Sequence, residues 1–237
     1  MKYSENNIYL ADCYKAIKDI PDKSIDCIYT DIPYLYHSGA GGASELGARL
    51  TKKKGELLFI SNGIDYSIFD EFKRVLKKIN IFIWCSKEQI GDIYSMWGGY
   101  NKDMLVWCKT NPTPATHNVW LPDLEYCIHI REKGLGLNDG YDLKSKWYVS
   151  AINKKDKDLF EHPTIKPLPL VERHLKHATQ EGDVVLDVFA GSGTTLVAAK
   201  NTGRKYIGFE IEEEWYNIAF NRLNNIQASG QMTLFTM

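Results

Sequence analysis

A short apolar strand, a glycine turn and a helix follow one another near residue 190, and this order constrains the fold most. Residues 184–189 form a β-branched and apolar run that is too short for a buried helix. A turn with two glycines occupies residues 190–193, a helix is predicted from 194 to about 202, and a strand follows at 205–210. Strands that alternate with helices favour a mostly parallel, doubly wound α/β sheet with helices on both faces.

The glycine turn is typical of a place where the backbone approaches a ligand. Gly191 and Gly193 permit close approach, and the following helix directs free N–H groups at the same point. Glu210 ends the next predicted strand, where an acid commonly binds the two hydroxyls of a ribose. A dinucleotide site would need a third glycine where this chain has Leu196. The pattern therefore disfavours NAD and leaves other adenosine-type ligands open.

The rest of the chain predicts elements of the same kind. A buried strand over residues 25–30 runs into the turn Asp31-Ile32-Pro33-Tyr34. Further predictions are a helix at 68–79, strands at 79–84, 104–107 and 126–130, helices after residue 169 and from 215, and irregular segments at 109–123 and 132–158.

Composition excludes several classes of protein. Of 237 residues, 44% are hydrophobic and 25% are charged, as in ordinary folded domains. The net charge is −1, so any contact with nucleic acid must rest on local patches, for which the lysine-rich stretches at 49–54 and 144–157 are candidates. The N-terminus has no secretion signal and the chain has no apolar run of membrane length, so we expect a cytoplasmic protein without a membrane anchor.

Neither a disulfide framework nor a metal site is expected. The five cysteines are an odd number without a C-x-x-C pair. His174 and His177 lie three residues apart on a predicted helix, but no acid or cysteine completes a ligand set.

Five ordered segments of the chain resemble the S-adenosylmethionine-dependent DNA amino-methyltransferases, in the subgroup (β class) whose catalytic motif precedes the cofactor motif. Asp31-Ile32-Pro33-Tyr34 looks like the D-P-P-Y motif of that family. The other similar segments are the opening at 8–13 with 21–26, residues 162–167 with 182–183, the cofactor loop at 187–195, and the strand at 204–210. The resemblance covers residues 7–36 and 160–224, and the middle of the chain is only loosely alike.

The resemblance implies a Rossmann-like methyltransferase fold and one catalytic domain over residues 1–237, with a variable target-recognition segment at about 109–158. It implies S-adenosylmethionine as cofactor and double-stranded DNA as partner. In this family an Asp in the first motif position accompanies adenine N6 methylation, and Ser accompanies cytosine N4 methylation. Catalytic roles are implied for Asp31, Ile32, Pro33 and Tyr34, and cofactor contacts for Asp12, Cys13, Thr164, Lys166, Asp187, Phe189, Gly191, Ser192, Gly193, Thr194 and Glu210.

The catalytic motif suits methylation of an exocyclic amine on chemical grounds. The amine of adenine is a poor nucleophile because its lone pair is delocalised into the ring. Asp31 and the carbonyl oxygen of Ile32 can accept its two N–H groups, while Tyr34 stacks on a base that has been flipped out of the duplex. The methyl group already sits on a sulfonium, so alignment of the two reactants is the main requirement.

The chain departs from the family at Ile32 and Val188, where proline is usual. Isoleucine keeps the backbone carbonyl, so we expect an active enzyme. The alternatives are a cytosine N4 methyltransferase and a catalytically impaired protein that binds DNA and cofactor. A homodimer, a companion restriction endonuclease, and a bacterial or phage-infected host cell are left open.

Overall fold

The computed structural model describes residues 2–35, 63–112, 114, 120–152 and 165–224. The described strands are β1 (Asn7–Leu10), β2 (Cys27–Asp31), β3 (Asn80–Cys85), β4 (Asn101–Lys109), β5 (Leu124–Arg131), β6 (Trp147–Ser150), β7 (Val184–Asp187) and β8 (Lys205–Glu210). The described α-helices are α1 (Cys13–Ala16), α2 (Ile68–Val75), α3 (Ile90–Met96), α4 (Leu168–Ala178), α5 (Thr194–Asn201) and α6 (Glu213–Leu223).

The strands form one sheet in the order β1-β8-β7-β2-β3-β5-β4-β6. Five neighbouring pairs are parallel, and only β5 runs against its neighbours β3 and β4. The predicted mostly parallel sheet is therefore confirmed. Pairing of β2 with β7, where Ile28 lies beside Leu186, brings the predicted catalytic turn next to the glycine turn.

Helices cover both faces of the sheet, as a doubly wound fold requires. Alternate residues of a strand point to opposite faces, so Ile28 packs with α1, α2 and α3 whereas Tyr29 packs with α4, α5 and α6. Both side chains are buried. This arrangement confirms the Rossmann-like α/β fold.

Two sequence predictions are corrected at the element level. The helix predicted at 68–79 ends at Val75, because Leu76 is extended and forms a parallel bridge with Ile25, which lies just before β2. The segment predicted to be irregular at 132–158 contains β6, which pairs in parallel with β4 at the sheet edge. The strand has only four residues, and two of them, Trp147 and Val149, are exposed, so its hydrophobic signal in the sequence is weak.

No helix in the part of the chain that the structure describes is long and apolar enough to cross a lipid bilayer.

Candidate functional site

Three acids from separate parts of the chain end three neighbouring strands. Asp31 ends β2, Asp187 ends β7 and Glu210 ends β8. Because these strands are parallel and adjacent, their carboxyl ends lie at one edge of the sheet. Ligands of open α/β sheets bind in the crevice outside this edge.

The glycine turn has the backbone conformation that the sequence predicts. Gly191 and Gly193 have φ angles of 50° and 78°, which side chains rarely allow. A Cβ atom added to Gly193 would lie 2.8 Å from Cβ of Ala219 in α6, so glycine also permits close packing there. Helix α5 begins directly after the turn, at Thr194.

Glu210 binds the glycine turn directly. The backbone N–H of Gly191 donates to Oε2 at 2.6 Å, and the N–H groups of Ile211 and Glu212 donate to Oε1 at 2.8 and 2.9 Å. Burial raises the pKa of Glu210, and these three N–H groups oppose that effect by favouring the carboxylate. Each carboxylate oxygen can accept a further hydrogen bond, so Glu210 can also hold a hydroxyl at this edge.

Asp12 and Cys13 lie beside the same turn. Asp12 caps α1 by accepting the N–H of Tyr14 at 3.0 Å, and the Tyr14 ring meets the Phe189 ring edge-on at 6.5 Å. Burial raises the pKa of Cys13 to about 12, and the charges of Asp12 and Glu210 add to the effect. A thiol with this pKa is neutral near pH 7, so Cys13 behaves as a small apolar side chain.

Ser192 and Thr194 are buried and held by a residue that the sequence analysis did not identify. Arg222 in the last turn of α6 donates to the carbonyl and hydroxyl of Ser192 at 2.5 and 3.1 Å, and to the hydroxyl of Thr194 at 3.2 Å. The sequence contains no local signal for this contact. Cations are generally favourable in the last turn of a helix, so the position of Arg222 does not itself indicate a partner.

Asp187 joins the glycine turn to strand β2. Its Oδ1 accepts the hydroxyl of Thr30 at 2.9 Å and the N–H of Phe189 at 3.2 Å. The side chain is buried, and burial raises its pKa to about 7 against the hydrogen bonds from Thr195, Thr30 and Phe189. Since Thr30 precedes Asp31, this bond fixes the end of β2 relative to the turn.

The turn at residues 31–34 is held by two further hydrogen bonds of its backbone. The N–H of Ile32 donates to the carbonyl of Trp84 at 3.2 Å, a bond that proline at this position would remove. The carbonyl of Pro33 accepts Nε2 of the fully buried Gln89 at 3.0 Å. Gln89 has no motif around it and was not predicted from the sequence.

Asp31 is the most exposed of the three acids. Its side chain is 30% exposed, whereas Asp187 is 3% exposed. Oδ1 of Asp31 is buried and has no hydrogen-bond partner among the described residues. The exposed part of the Asp31 side chain therefore does not include Oδ1.

Lys166 contacts the carboxylate of Asp31. Its Nζ lies 2.5 Å from Oδ2 of Asp31 and 3.2 Å from the hydroxyl of Tyr34, and its side chain is only 6% exposed. Burial raises the pKa of Asp31 while Lys166 opposes the rise. Burial disfavours the Lys166 ammonium, but the carboxylates of Asp31 and Glu125 outweigh it and raise its pKa. The family resemblance predicts Lys166 at the border of the cofactor pocket, and in the structure its ammonium group contacts Asp31.

Some predicted features lie outside the described residues. These are Thr164, the lysine-rich stretch at 49–54, and parts of the recognition segment at 113, 115–119 and 153–158. Within the described ranges no group of three histidines, cysteines or acids could hold a metal ion. Trp84 and Trp107 are buried in the core, whereas Trp120 is 97% exposed.

The arrangement can align an amine with an adenosine ligand. An acceptor (Asp31), a neighbouring backbone carbonyl (Ile32) and an aromatic ring (Tyr34) occupy one side of the crevice. The glycine turn and Glu210 occupy the adjacent strand ends.

Comparison with known proteins gives the same family throughout. Residues 25–221 match a family model for N6 and N4 methyltransferases, described as DNA methylase. The chain is 33% identical to the type II methyltransferase M2.LlaDCHI of Lactococcus lactis subsp. cremoris, over 94% of this chain and 91% of that protein. It is 34% identical to the type II methyltransferase M2.DpnII of Streptococcus pneumoniae, over 93% and 91%. The crystal structure of the M1.HpyAVI–SAM complex is similar with a TM-score of 0.69 and 28% identity, covering 91% of this chain and 98% of that one.

Proposed function

This chain belongs to the family of S-adenosylmethionine-dependent DNA methyltransferases that modify N6 or N4 amines, and we propose that it methylates the N6 amine of adenine in double-stranded DNA. The cofactor is S-adenosylmethionine. The choice of adenine is supported by the acid in the first position of the catalytic motif.

The observation that carries the proposal is the placement of Asp31. Its side chain is partly exposed at the end of β2, beside the strand that leads into the glycine turn, and Lys166 supports its ionised form. An ionised carboxylate only accepts hydrogen bonds, as an amine donor requires. The carbonyl of the next residue, Ile32, supplies the second acceptor for an amine with two N–H groups.

The residues of the turn perform the alignment. Bound S-adenosylmethionine supplies a methyl carbon that the amine nitrogen attacks with its electron pair, while the carbon–sulfur bond breaks and the sulfur keeps the bonding pair. Asp31 and the Ile32 carbonyl hold both N–H groups out of the ring plane. The nitrogen lone pair then leaves conjugation with the ring and points at the methyl carbon. Asp31 is then the group placed to receive the proton that the methylated nitrogen must lose. Tyr34 stacks on the flipped base and excludes water from one face.

Cofactor roles follow from the neighbouring strand ends. We assign the methionine part to Phe189 and to the turn at 190–194, the ribose hydroxyls to Glu210, and the adenine end to Asp12 and Cys13. The hydrogen bond between Gly191 and Glu210 supports this assignment, because it links the turn to the ribose acid at 2.6 Å.

The organisation around this site is also a proposal. We assign one catalytic domain to residues 1–237 and DNA recognition to residues 109–158. The type II names of two relatives support a role in restriction–modification beside a companion endonuclease. A homodimer and a cytoplasmic location stay predictions.

Expression in a bacterial strain that lacks its own adenine and cytosine amino-methylation tests the function. Genomic DNA is digested to nucleosides for mass spectrometry and sequenced by a single-molecule method that locates modified bases. N6-methyladenine in a short repeated sequence, absent with Asp31→Asn, supports the proposal. N4-methylcytosine instead overturns the choice of base. No methylated base, with cofactor binding intact in the purified protein, favours the impaired DNA-binding alternative.

A further inference from the structure

A line of four charged residues joins β4 and β5 to the catalytic turn. Nζ of Lys109, at the end of β4, lies 2.6 Å from Oε1 of Glu125 at the start of β5. Oε2 of the same glutamate lies 2.9 Å from Nζ of Lys166, which in turn contacts Asp31. The signs of the charges alternate along the line. In the part of the chain that the structure describes, Glu125 is the carboxylate that shares Lys166 with Asp31.

Stability alone is a weak reason for this arrangement. Lys109 and Glu125 each retain only 14% of their side-chain exposure, and removing such charges from water carries a large penalty. Replacement of buried ion pairs by apolar residues is often neutral or stabilising. We therefore expect an effect of these buried charges on the neighbouring carboxylate of Asp31.

We propose that Glu125 is a positioning residue for methyl transfer, which acts through Lys166 on the catalytic carboxylate of Asp31. Glu125 fixes Nζ of Lys166 between two carboxylates and takes up part of its charge. Oδ2 of Asp31 then stays ionised but is not fully neutralised, and it keeps its strength as an acceptor for the target amine. The inference rests on the proposed function, since it assigns Asp31 that acceptor role.

The surroundings of Asp31 agree with this division of charge. Lys166 lowers the pKa of Asp31 and Glu125 raises it, both against a background set by burial. Loss of the Glu125 charge would leave Lys166 to balance Asp31 alone. Among the described residues, the titratable groups that interact with Asp31 are Lys166, Tyr34, Glu125, Asp187, Tyr29, Cys85 and Cys127.

Contacts of Lys166 give the pair a geometric role as well. Its ammonium group meets Asp31 and the Tyr34 hydroxyl, and it lies 5.1 Å from the centre of the Trp84 ring. Glu125 provides the fourth contact, at 2.9 Å but poorly aligned for a hydrogen bond. Without it, Nζ has one carboxylate partner instead of two, so its position relative to Asp31 and Tyr34, the residues assigned to the flipped base, is less constrained.

The test compares Glu125→Gln with Glu125→Asp and with Asp103→Asn. Glutamine keeps the shape of the side chain and removes its charge, whereas aspartate keeps the charge. Asp103 on β4 is a matched control, because it also bridges two cations, Arg131 at the end of β5 and Lys146 just before β6. Asp103 pairs with His129, which lies four positions along β5 from Glu125. The two sites are therefore about 13 Å apart.

Two readouts are taken for each variant. The first is the pKa of Asp31, from the carboxyl ¹³C resonance of labelled aspartate, assigned by its loss in Asp31→Asn. The second is the single-turnover rate of methyl transfer as a function of pH, with the dissociation constant of S-adenosylmethionine measured separately.

Glu125→Gln is expected to lower the pKa of Asp31 and move the acid limb of the rate to lower pH. The plateau rate should fall about tenfold, as for loss of one charged contact, with unchanged cofactor affinity. Glu125→Asp should restore the pKa, and Asp103→Asn should change neither readout. A pKa of Asp31 that stays the same or rises in Glu125→Gln overturns the inference. If the wild-type protein methylates no amine in DNA, the proposed function is wrong instead. The pKa of Asp31 in the variants then still tests whether Glu125 acts on Asp31.

Discussion

The ammonium nitrogen of Lys166 lies 2.5 Å from Oδ2 of Asp31, although 135 residues of sequence separate the two. Asp31 ends β2, and Lys166 precedes α4. The fold therefore places a permanent positive charge against the carboxylate that the proposed reaction requires as an acceptor. The charge state of Asp31 therefore depends on Lys166 as well as on Asp31 itself.

Replacement of Lys166 by methionine should make the reaction more sensitive to acid. Lys166 lowers the pKa of Asp31 against burial, so its removal raises that pKa. Asp31 then becomes protonated, and a weaker acceptor, at a higher pH than in the wild-type protein. In single-turnover assays the acid limb should move to higher pH, opposite in direction to the shift expected for Glu125→Gln. A limb that stays in place or moves to lower pH would contradict the assigned role of Lys166.

Glu210→Gln should weaken cofactor binding without changing the base that is methylated. The charged acceptor at the end of β8 is replaced by an amide, so hydrogen bonds to the ribose hydroxyls lose about 1.5 kcal/mol, or about tenfold in affinity. Isothermal titration with S-adenosylmethionine measures the change. Glu212→Gln serves as the control, because that side chain is exposed and follows the same strand. Equal affinities for both variants would rule out the ribose assignment.

Gly193→Ala should destabilise the protein more than Gly182→Ala. Both glycines have positive φ angles, 78° and 85°, so alanine strains the backbone at both positions by about 1 kcal/mol. Only at residue 193 does the new Cβ also meet Ala219, at 2.8 Å, whereas Gly182 has open space. Urea unfolding should show a loss of about 2 kcal/mol or more for Gly193→Ala. Similar losses for the two variants would show that the packing of α6 adapts to the methyl group.

Asp187→Asn should remove a pH dependence of stability. Burial holds the pKa of Asp187 at about 7 in the folded protein, above the value of 3.8 expected when it is unfolded. The stabilising contribution of the protonated group is full below the unfolded pKa and is lost as the pH rises through the folded pKa. Asparagine cannot ionise and keeps an acceptor for Thr30 and Phe189.

The stability of Asp187→Asn relative to wild type should therefore increase between about pH 5 and about pH 8. Free energies of unfolding in urea at these two pH values provide the measurement. Asp70→Asn, which changes an 83% exposed carboxylate on α2, is the control and should show no such increase. A constant difference between Asp187→Asn and wild type would mean that Asp187 does not release its proton in this range.

Local patterns were sufficient to predict the part of the fold that surrounds the glycine turn. Strand β7, the turn and β8 were predicted within about two residues, because apolar runs and glycines act over short distances. The antiparallel insertion of β5 between β3 and β4 was not predicted, since strand order depends on contacts between distant segments. Strand β6 was missed for a different reason, its short length and its exposed position at the edge of the sheet.

The candidate site was predictable where it consists of motifs and not where it consists of contacts across the fold. The strand ends at Asp31 and Glu210 follow from the sequence, and the structure brings them to one edge. Gln89, Arg222 and Glu125 occur outside any motif, and each reaches the site from another part of the fold. Their roles depend on side-chain positions that a single sequence does not encode locally.

Transfer of a labelled methyl group tests the central claim most directly. The purified protein is incubated with S-adenosylmethionine that carries a deuterated methyl group and with unmethylated double-stranded DNA of varied sequence. The DNA is digested, and the nucleosides are identified by mass spectrometry. The account predicts label in N6-methyladenine, and none when Asp31 is replaced by asparagine. Label in N4-methylcytosine, or in N6-methyladenine at an equal rate with Asp31→Asn, would contradict it.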